Sequence, residues 1–390
     1  MDLTSIAFAT MLALGLIASD AFVNANTLYI DASVAGKIEE EGYSDKVVVG
    51  RFITEVKRIT DSKSLISSPK FKSEQKKSFA MALAEAGGLE NAMIAIQDLI
   101  GFVPPRLNAT FVVDGDTPIF EMSGYSNDYG WFELEIEQKG RTHEVIEQAA
   151  MQTVLKLDPY MGILHQFEEH SEDGDFSGVK KLIDDYIAVL PPTPINMQRA
   201  HVENLRGIIG LLENNMADAE TYFKRAMASK ASFAVAHMNL CFTLVHEGRY
   251  KEAIAIANLI VEPWHWPMTS NRVLLASSHV VKGVAHWGLG QIGEAETHFK
   301  HATRINRRTS EGHVYWARLW ESEGKKAEAR EMYTKALANT RYFENYPEVA
   351  LLYFWLNEKA DQPLKRRKSA LDIGSSHMDL KDKGEKKNSG

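Results

Sequence analysis

The chain has 390 residues, 45% of them hydrophobic and 25% charged, with a formal net charge of −8. That length suggests two or three domains at roughly 100 to 200 residues each, and the acidic balance argues against an electrostatic nucleic-acid binder, since "KRRK" at 365–368 is the only strongly basic run. A single cysteine, Cys241, excludes an internal disulfide framework and a multi-cysteine metal site.

At the amino terminus Leu3 to Ser19 carries no charged side chain, and Ala21, Phe22 and Val23 extend the apolar run beyond Asp20. With that extension it reaches the length of about 20 residues that spans a bilayer. Residues 1–25 are therefore expected to be an apolar helix that anchors the chain in a membrane through residues 3–23. A cleaved signal peptide, suggested by the small residues before Asn26, and a buried helix are the alternatives. The first basic residue, Lys37, follows the run, which places the bulk of the chain in the cytoplasm by the positive-inside tendency. A periplasmic location is the outcome if the segment is a cleaved signal.

Residues 27–159 mix two periods. "TLYID" is a short strand pattern, whereas "SDKVVVGRFITEVKRI" starts at a cap-competent Ser44 and sets Val47, Phe52, Ile53, Val56 and Ile59 largely on one helical face. A helix, or two broken at Gly87 and Gly88, is expected between Ser73 and Gly101. "NATFVVDGDTPIFEMSG" then carries an Asp-Gly pair, Asp114 and Gly115, suited to a tight hairpin turn. In "GWFELEIEQKG", Phe132, Leu134 and Ile136 alternate with Glu133, Glu135 and Glu137, so one face is buried and the other wet. A helix from His143 to Leu157 closes a small α+β domain.

Beyond Pro159 strand patterning disappears and the chain resembles itself. "NLRGIIGLLENNMADAETYFKRAM", "LCFTLVHEGRYKEAIAIANLI", "KGVAHWGLGQIGEAETHFKHAT" and "WARLWESEGKKAEAREMYTKAL" align without gaps. Gly207, Cys241, Gly283 and Ala317 are the small residues of each first helix; Ala219, Ala253, Ala295 and Ala329 are those of each second helix. Successive alanines are 34, 42 and 34 positions apart (219 to 253, 253 to 295, 295 to 329). Small side chains at these places let paired helices approach closely.

These segments, from roughly 200 to 343, resemble tetratricopeptide repeats, whose period is 34 residues. Phe223, Phe299 and Tyr333 match the second-helix aromatic, Ala226, Ala302 and Ala336 the small residue after it, and Gly248, Gly290 and Gly324 the turn glycine. The first unit carries Asn215 at that turn, and the second has Ile260 for the small residue. A degenerate unit is expected at 160–193. The fold class that follows is mostly α: an α-solenoid of helix hairpins over 160–360, ending in a capping helix from Tyr346, behind the α+β domain and the apolar amino-terminal helix. Residues 361–390, rich in Lys, Ser, Gly and Asp, are expected to be a disordered tail. The layout is similar to bacterial membrane-anchored proteins of this repeat class.

Signatures of chemistry are weak. "GLGQIG" at 288–293 fits G-x-G-x-x-G but follows a helix and belongs to a repeat turn. The acidic runs "VDGDT" and "SEDGDFSG" lack the ligand spacing of a calcium loop. His237, His279 and His313 occupy equivalent places in successive units, about 10 Å apart on ordinary helix spacing, which suits packing rather than a shared ion. Neither catalytic residue, cofactor nor metal is expected.

The resemblance instead implies a concave wall of first helices that binds a protein or peptide. Its residues are His201, Asn204, Ile208, Met238, Phe242, Val245, His246, Val284, Trp287 and Arg318. An apolar groove of this kind holds either a partner segment or part of the same chain. Ile208, Ser277 and Val281 stand where a basic carboxylate clamp would need polar residues, which disfavours a carboxyl-terminal peptide. Trp264 and Trp266, in the "VEPWHWPMTSN" excess of the 42-residue interval, are candidate anchors for a partner, or else pack on the neighbouring unit. The expected function is a membrane-anchored adaptor; an enzyme or regulatory subunit with activity in the α+β domain, and a periplasmic binding protein, are the rivals.

Overall fold

A computed structural model of the chain describes residues 27–34, 38, 42–62, 64, 72–74, 106–114, 117–126, 130–137, 141–171, 173–191, 196–261 and 267–339. The anchor segment, most of the helix expected before Gly101, the tryptophan loop, the capping helix and the tail fall outside them. Two compact units are formed, Met1–Ser62 with Ser67–His165, and Lys63–Ile66 with Gln166–Gly390.

The first unit is a five-stranded sheet with helices. Its strands are β1 (Thr27–Val34), β2 (Lys72–Glu74), β3 (Arg106–Asp114), β4 (Thr117–Ser126) and β5 (Gly130–Glu137), in the order β2-β1-β3-β4-β5. β1 runs parallel to both its neighbours, and β3, β4 and β5 form an antiparallel meander. Asp114 pairs with Thr117, so two residues connect β3 to β4, as the Asp-Gly pair requires. In β5 Phe132 is buried while Glu133, Glu135 and Glu137 are exposed, the alternation of a sheet wet on one face. Helix α1 (Asp45–Thr60) lays Phe52 against Phe120 at 6.1 Å between ring centroids, and Phe111 meets the same ring edge-on at 5.1 Å. Val47 departs from its expected place: it is 37% exposed, and Val48 and Val49 take the buried face. Helix α2 (Thr142–Leu157) packs on α1 and on β4 and β5.

The second unit is helical throughout its described residues. It comprises α3 (Pro159–Glu169, which crosses the division), α4 (Ser177–Val189), α5 (Met197–Leu212), α6 (Met216–Ser229), α7 (Ala234–His246), α8 (Tyr250–Val261), α9 (Arg272–Gly288), α10 (Ile292–Ile305), α11 (Ser310–Ser322) and α12 (Lys326–Asn339). The pairs α5/α6, α7/α8, α9/α10 and α11/α12 are the four aligned hairpins. Each turns by one device: the residue after the C-cap takes a left-handed conformation, and the next N–H donates back to a carbonyl five residues earlier. Those donors are Asn215, Arg249, Gln291 and Lys325, at 2.8, 2.8, 2.9 and 2.8 Å.

The left-handed positions are Asn214, Gly248, Gly290 and Gly324, with φ of 59°, 73°, 74° and 75°. Asn214, rather than Asn215, is therefore the counterpart of the turn glycine; asparagine tolerates that conformation because its short side chain can bond locally. Asn215 instead accepts from the Asp218 N–H at 3.1 Å and caps α6. Gly174, also left-handed at φ 76°, turns α3 into α4 with a different bond, the Asp175 N–H donating to Asp173 Oδ1 at 2.9 Å, and Phe167 stacks on Phe176 at 5.4 Å across that turn.

In the first and third hairpins the small first-helix residue faces an aromatic ring 16 residues further along the chain, and the pair is complementary in volume. A Cβ on Gly207 would stand 2.4 Å from the Phe223 ring, and one on Gly283 would stand 2.5 Å from the Phe299 ring. In the second hairpin Cys241, Ala253, Ala257 and Ile260 are all buried, and the Cys241 thiol donates to the Ala253 carbonyl at 3.5 Å. Ala295 and Ala329, 0% and 3% exposed, seat α10 and α12. Changing either to Leu is expected to overpack its hairpin and cost about 1–3 kcal/mol, read as a lowered melting temperature. Unchanged melting of both variants would discard this register.

Candidate functional site: the first-helix wall

The wall is formed by α5, α7, α9 and α11, and its exposure changes along the stack. Ile208, Met238, Phe242, Val245 and Val284 are only 0–3% exposed, and Asn204 is buried. All twelve residues from Ala234 to Val245 are buried, so α7 is covered on every side, as a helix apolar around its whole circumference must be. The apolar lining at these positions is buried within the chain. His201 is half-buried and His246 exposed. Further along, Trp287 and Arg318 are half-buried and Glu321 is exposed. Trp264 and Trp266 lie outside the described residues.

Two pairs of polar groups inside the covered part satisfy one another. Asn239 donates to Asn204 Oδ1 at 2.8 Å, tying α7 to α5, and Ser229 donates to Glu203 at 2.8 Å. Burial raises the Glu203 carboxyl above its ordinary range despite that bond. His201, tilted against the Phe233 ring at 5.3 Å, is pushed down to about 4, chiefly by burial and secondarily by the Lys230 charge. Closer to the open end Ser277 donates to Glu311 at 3.4 Å, and Tyr333 donates to Glu321 at 2.9 Å. Trp316 and Trp320, with ring centroids 4.9 Å apart, pack on Ala317, Ala329 and Met332 in the last described hairpin.

The three equivalent histidines behave differently from one another. His237 and His313 each turn Nδ1 to the carbonyl one turn back, Phe233 at 3.0 Å and Thr309 at 2.7 Å, which is packing chemistry. His279 instead meets His298 on α10, Nδ1 to Nδ1 at 3.2 Å. Sequence reasoning compared histidines between units and missed this meeting within one hairpin; the His-x-x-His spacing at 298–301 is the signal that points to it. In the first unit an open cavity of about 360 Å³ lies between α1 and α2, with Lys46, Arg51 and His143 beside Glu55 and Glu147. Among the described residues no helix is long and apolar enough to cross a membrane.

No curated protein matches this sequence. Solved structures that resemble it include PilW, a type IV pilus biogenesis factor (16% identity, 48% of this chain and 80% of that one, TM-score 0.38). Others are PilF of Pseudomonas aeruginosa (16%, 56% and 87%, TM-score 0.38) and MamA of Desulfovibrio magneticus RS-1 (13%, 48% and 96%, TM-score 0.35). Residues 276–309, which take in most of α9 and all of α10, match the tetratricopeptide repeat family. With three further hairpins in phase and turned by the same hydrogen bonds, this chain is a tetratricopeptide-repeat protein.

Proposed function

We propose that the protein is a non-enzymatic adaptor, anchored to the cytoplasmic side of a membrane through residues 3–23, whose repeats dock a protein partner on the open part of the first-helix wall. The observation that carries this reading is the change of burial along a single wall. The early apolar lining is covered, which agrees with a groove filled by the chain itself, whereas His246, Trp287, Arg318 and Glu321 keep access to solvent. Trp and Arg are the residue types enriched at interface hot spots, where truncation costs about 2 kcal/mol or more.

Trp287→Ser and Arg318→Glu are therefore expected to reduce partner recovery from the intact protein about tenfold or more with little change in melting temperature. Phe242→Ser should act differently, lowering stability because it opens a buried site. Equal recovery by wild type and both wall variants would rule out docking at this end. For the anchor, the full chain should sediment with membranes and resist salt extraction, and a chain starting at Asn26 should stay in the supernatant. Uncut full chain in the soluble fraction would remove that part of the reading.

A second reading, an activity in the first unit, is favoured by the cavity between α1 and α2, where two basic side chains and a histidine face two carboxylates. A screen of the intact protein for hydrolase and transferase activity, compared with Arg51→Ala and His143→Ala, separates it from the adaptor reading.

A further inference from the structure

The hairpin α9/α10 concentrates four of the chain's 13 histidines, His279 and His286 on α9 and His298 and His301 on α10. His298 and His301 are three residues apart and so share one face of their helix. That face turns toward His279: ring centroids are 5.4 Å apart for His279 and His298, 5.5 Å for His279 and His301, and 6.3 Å for His298 and His301. His286 stacks on His298 at 5.1 Å but commits its Nδ1 to Gln291 Oε1 at 2.6 Å. It supports the cluster from behind rather than joining it.

We propose that His279, His298 and His301 form a three-histidine site for a divalent transition metal of the zinc class, clasping the two helices of this repeat. One nitrogen from each ring can be chosen so that all three lie within 4.8 Å of one another. A tetrahedral zinc with bonds of about 2.0–2.1 Å needs its nitrogens roughly 3.3–3.4 Å apart. His279 and His298 already hold two nitrogens at 3.2 Å, close to that separation. All three residues are half-buried, so the cluster is reached from solvent.

The rigidity of the platform comes from the repeat itself. Gly283 lies between the His279 and His286 turns of α9 and lets α10 approach until the Phe299 ring fills the place of a Cβ; Phe299 lies next to His298 in sequence. Imidazole suits zinc, copper and nickel, whereas magnesium and calcium prefer oxygen ligands, and no carboxylate belongs to this set. Lys282, buried on the same helix, sets a positive charge against the ion. A site so placed takes metals that bind imidazole strongly and excludes ions held by charge alone.

The test uses the full chain without a histidine tag, in detergent, stripped with chelator and titrated with zinc sulfate by calorimetry. Cobalt titration follows in the visible range, where four-coordinate cobalt absorbs strongly. The expected result is one saturable zinc per chain, a melting temperature raised by zinc but not by magnesium, and the four-coordinate cobalt spectrum. His298→Ala and His301→Ala should each weaken zinc binding by about tenfold or more, the loss already typical of groups one shell further out. His170→Ala, at an exposed histidine paired with Asp173 instead, should bind as wild type does. If His298→Ala loses its helical circular dichroism, His301→Gln, which retains a similar size without the imidazole, decides the matter. No saturable zinc binding, or binding equal in wild type and the folded His301→Gln variant, overturns the site.

Discussion

Phe299→Ala is expected to destabilise the α9/α10 hairpin by about 3–5 kcal/mol, the usual cost of emptying a fully buried aromatic site. The ring is 0% exposed, fills the space left by the missing Cβ of Gly283, and stacks on Tyr315 of the following hairpin at 6.5 Å. Its loss therefore weakens both the packing inside one repeat and the contact between two, and in a solenoid those are the two terms from which stability is built. The complementary change, Gly283→Ala, pushes a methyl to 2.5 Å from that ring and should cost about 1–3 kcal/mol by overpacking. Combining Gly283→Ala with Phe299→Leu shrinks one side as it enlarges the other. The pair should depart from additivity by roughly 0.5–3 kcal/mol in the stabilising direction. Strictly additive melting data for the double variant would refute the coupling.

The second large effect is acid lability. His201 titrates near 4 in the folded chain against about 6.5 in an unfolded one, so between those values the unfolded state binds the extra proton. Stability rises with pH wherever the unfolded state holds more protons; it is therefore lost as pH falls from about 6.5 to about 4, and no further loss from this residue follows below that. The full difference corresponds to about 3 kcal/mol. Burial lowers His237 and His313 too, each partly offset by its carbonyl bond, and they add in the same direction. Glu203 opposes them: its raised value favours the folded state at low pH. Helical circular dichroism should show a melting temperature falling steeply between pH 6.5 and 4, and His201→Gln should flatten that fall. An identical slope in the variant would mean that the ring is not held neutral.

The repeat architecture was legible because each hairpin writes the same constraints in the same places. Gly207, Gly283, Ala295 and Ala329 are small where helices touch, and Gly290 and Gly324 stand where the chain must turn through a left-handed conformation. Such residues report local backbone requirements, and a fixed period repeats them. Even so, the turn of the first unit was displaced by one residue, since Asn214 and Asn215 are chemically equal. Only the backbone shows that the first takes positive φ and the second caps a helix. Val47 was misplaced for a similar reason, because one angular face is too coarse to separate three consecutive valines.

What the sequence determined alone is the kind of most elements, strands and helices of a small α+β region and then helix hairpins, although Ser73 and Glu74, expected to open a helix, lie in β2 and the parallel pairing of β1 was not legible. Those kinds follow from periodicity, turn chemistry and residue size, all local properties. Whether the first-helix wall is open was decided by tertiary structure, because an apolar lining is the same whether water, a partner or the chain itself lies against it. The meeting of His279 with His298 and His301 was likewise decided there. Their approach depends on how closely two helices pack at Gly283 and on which way three rings turn, and neither quantity is carried by the spacing of histidines along the chain.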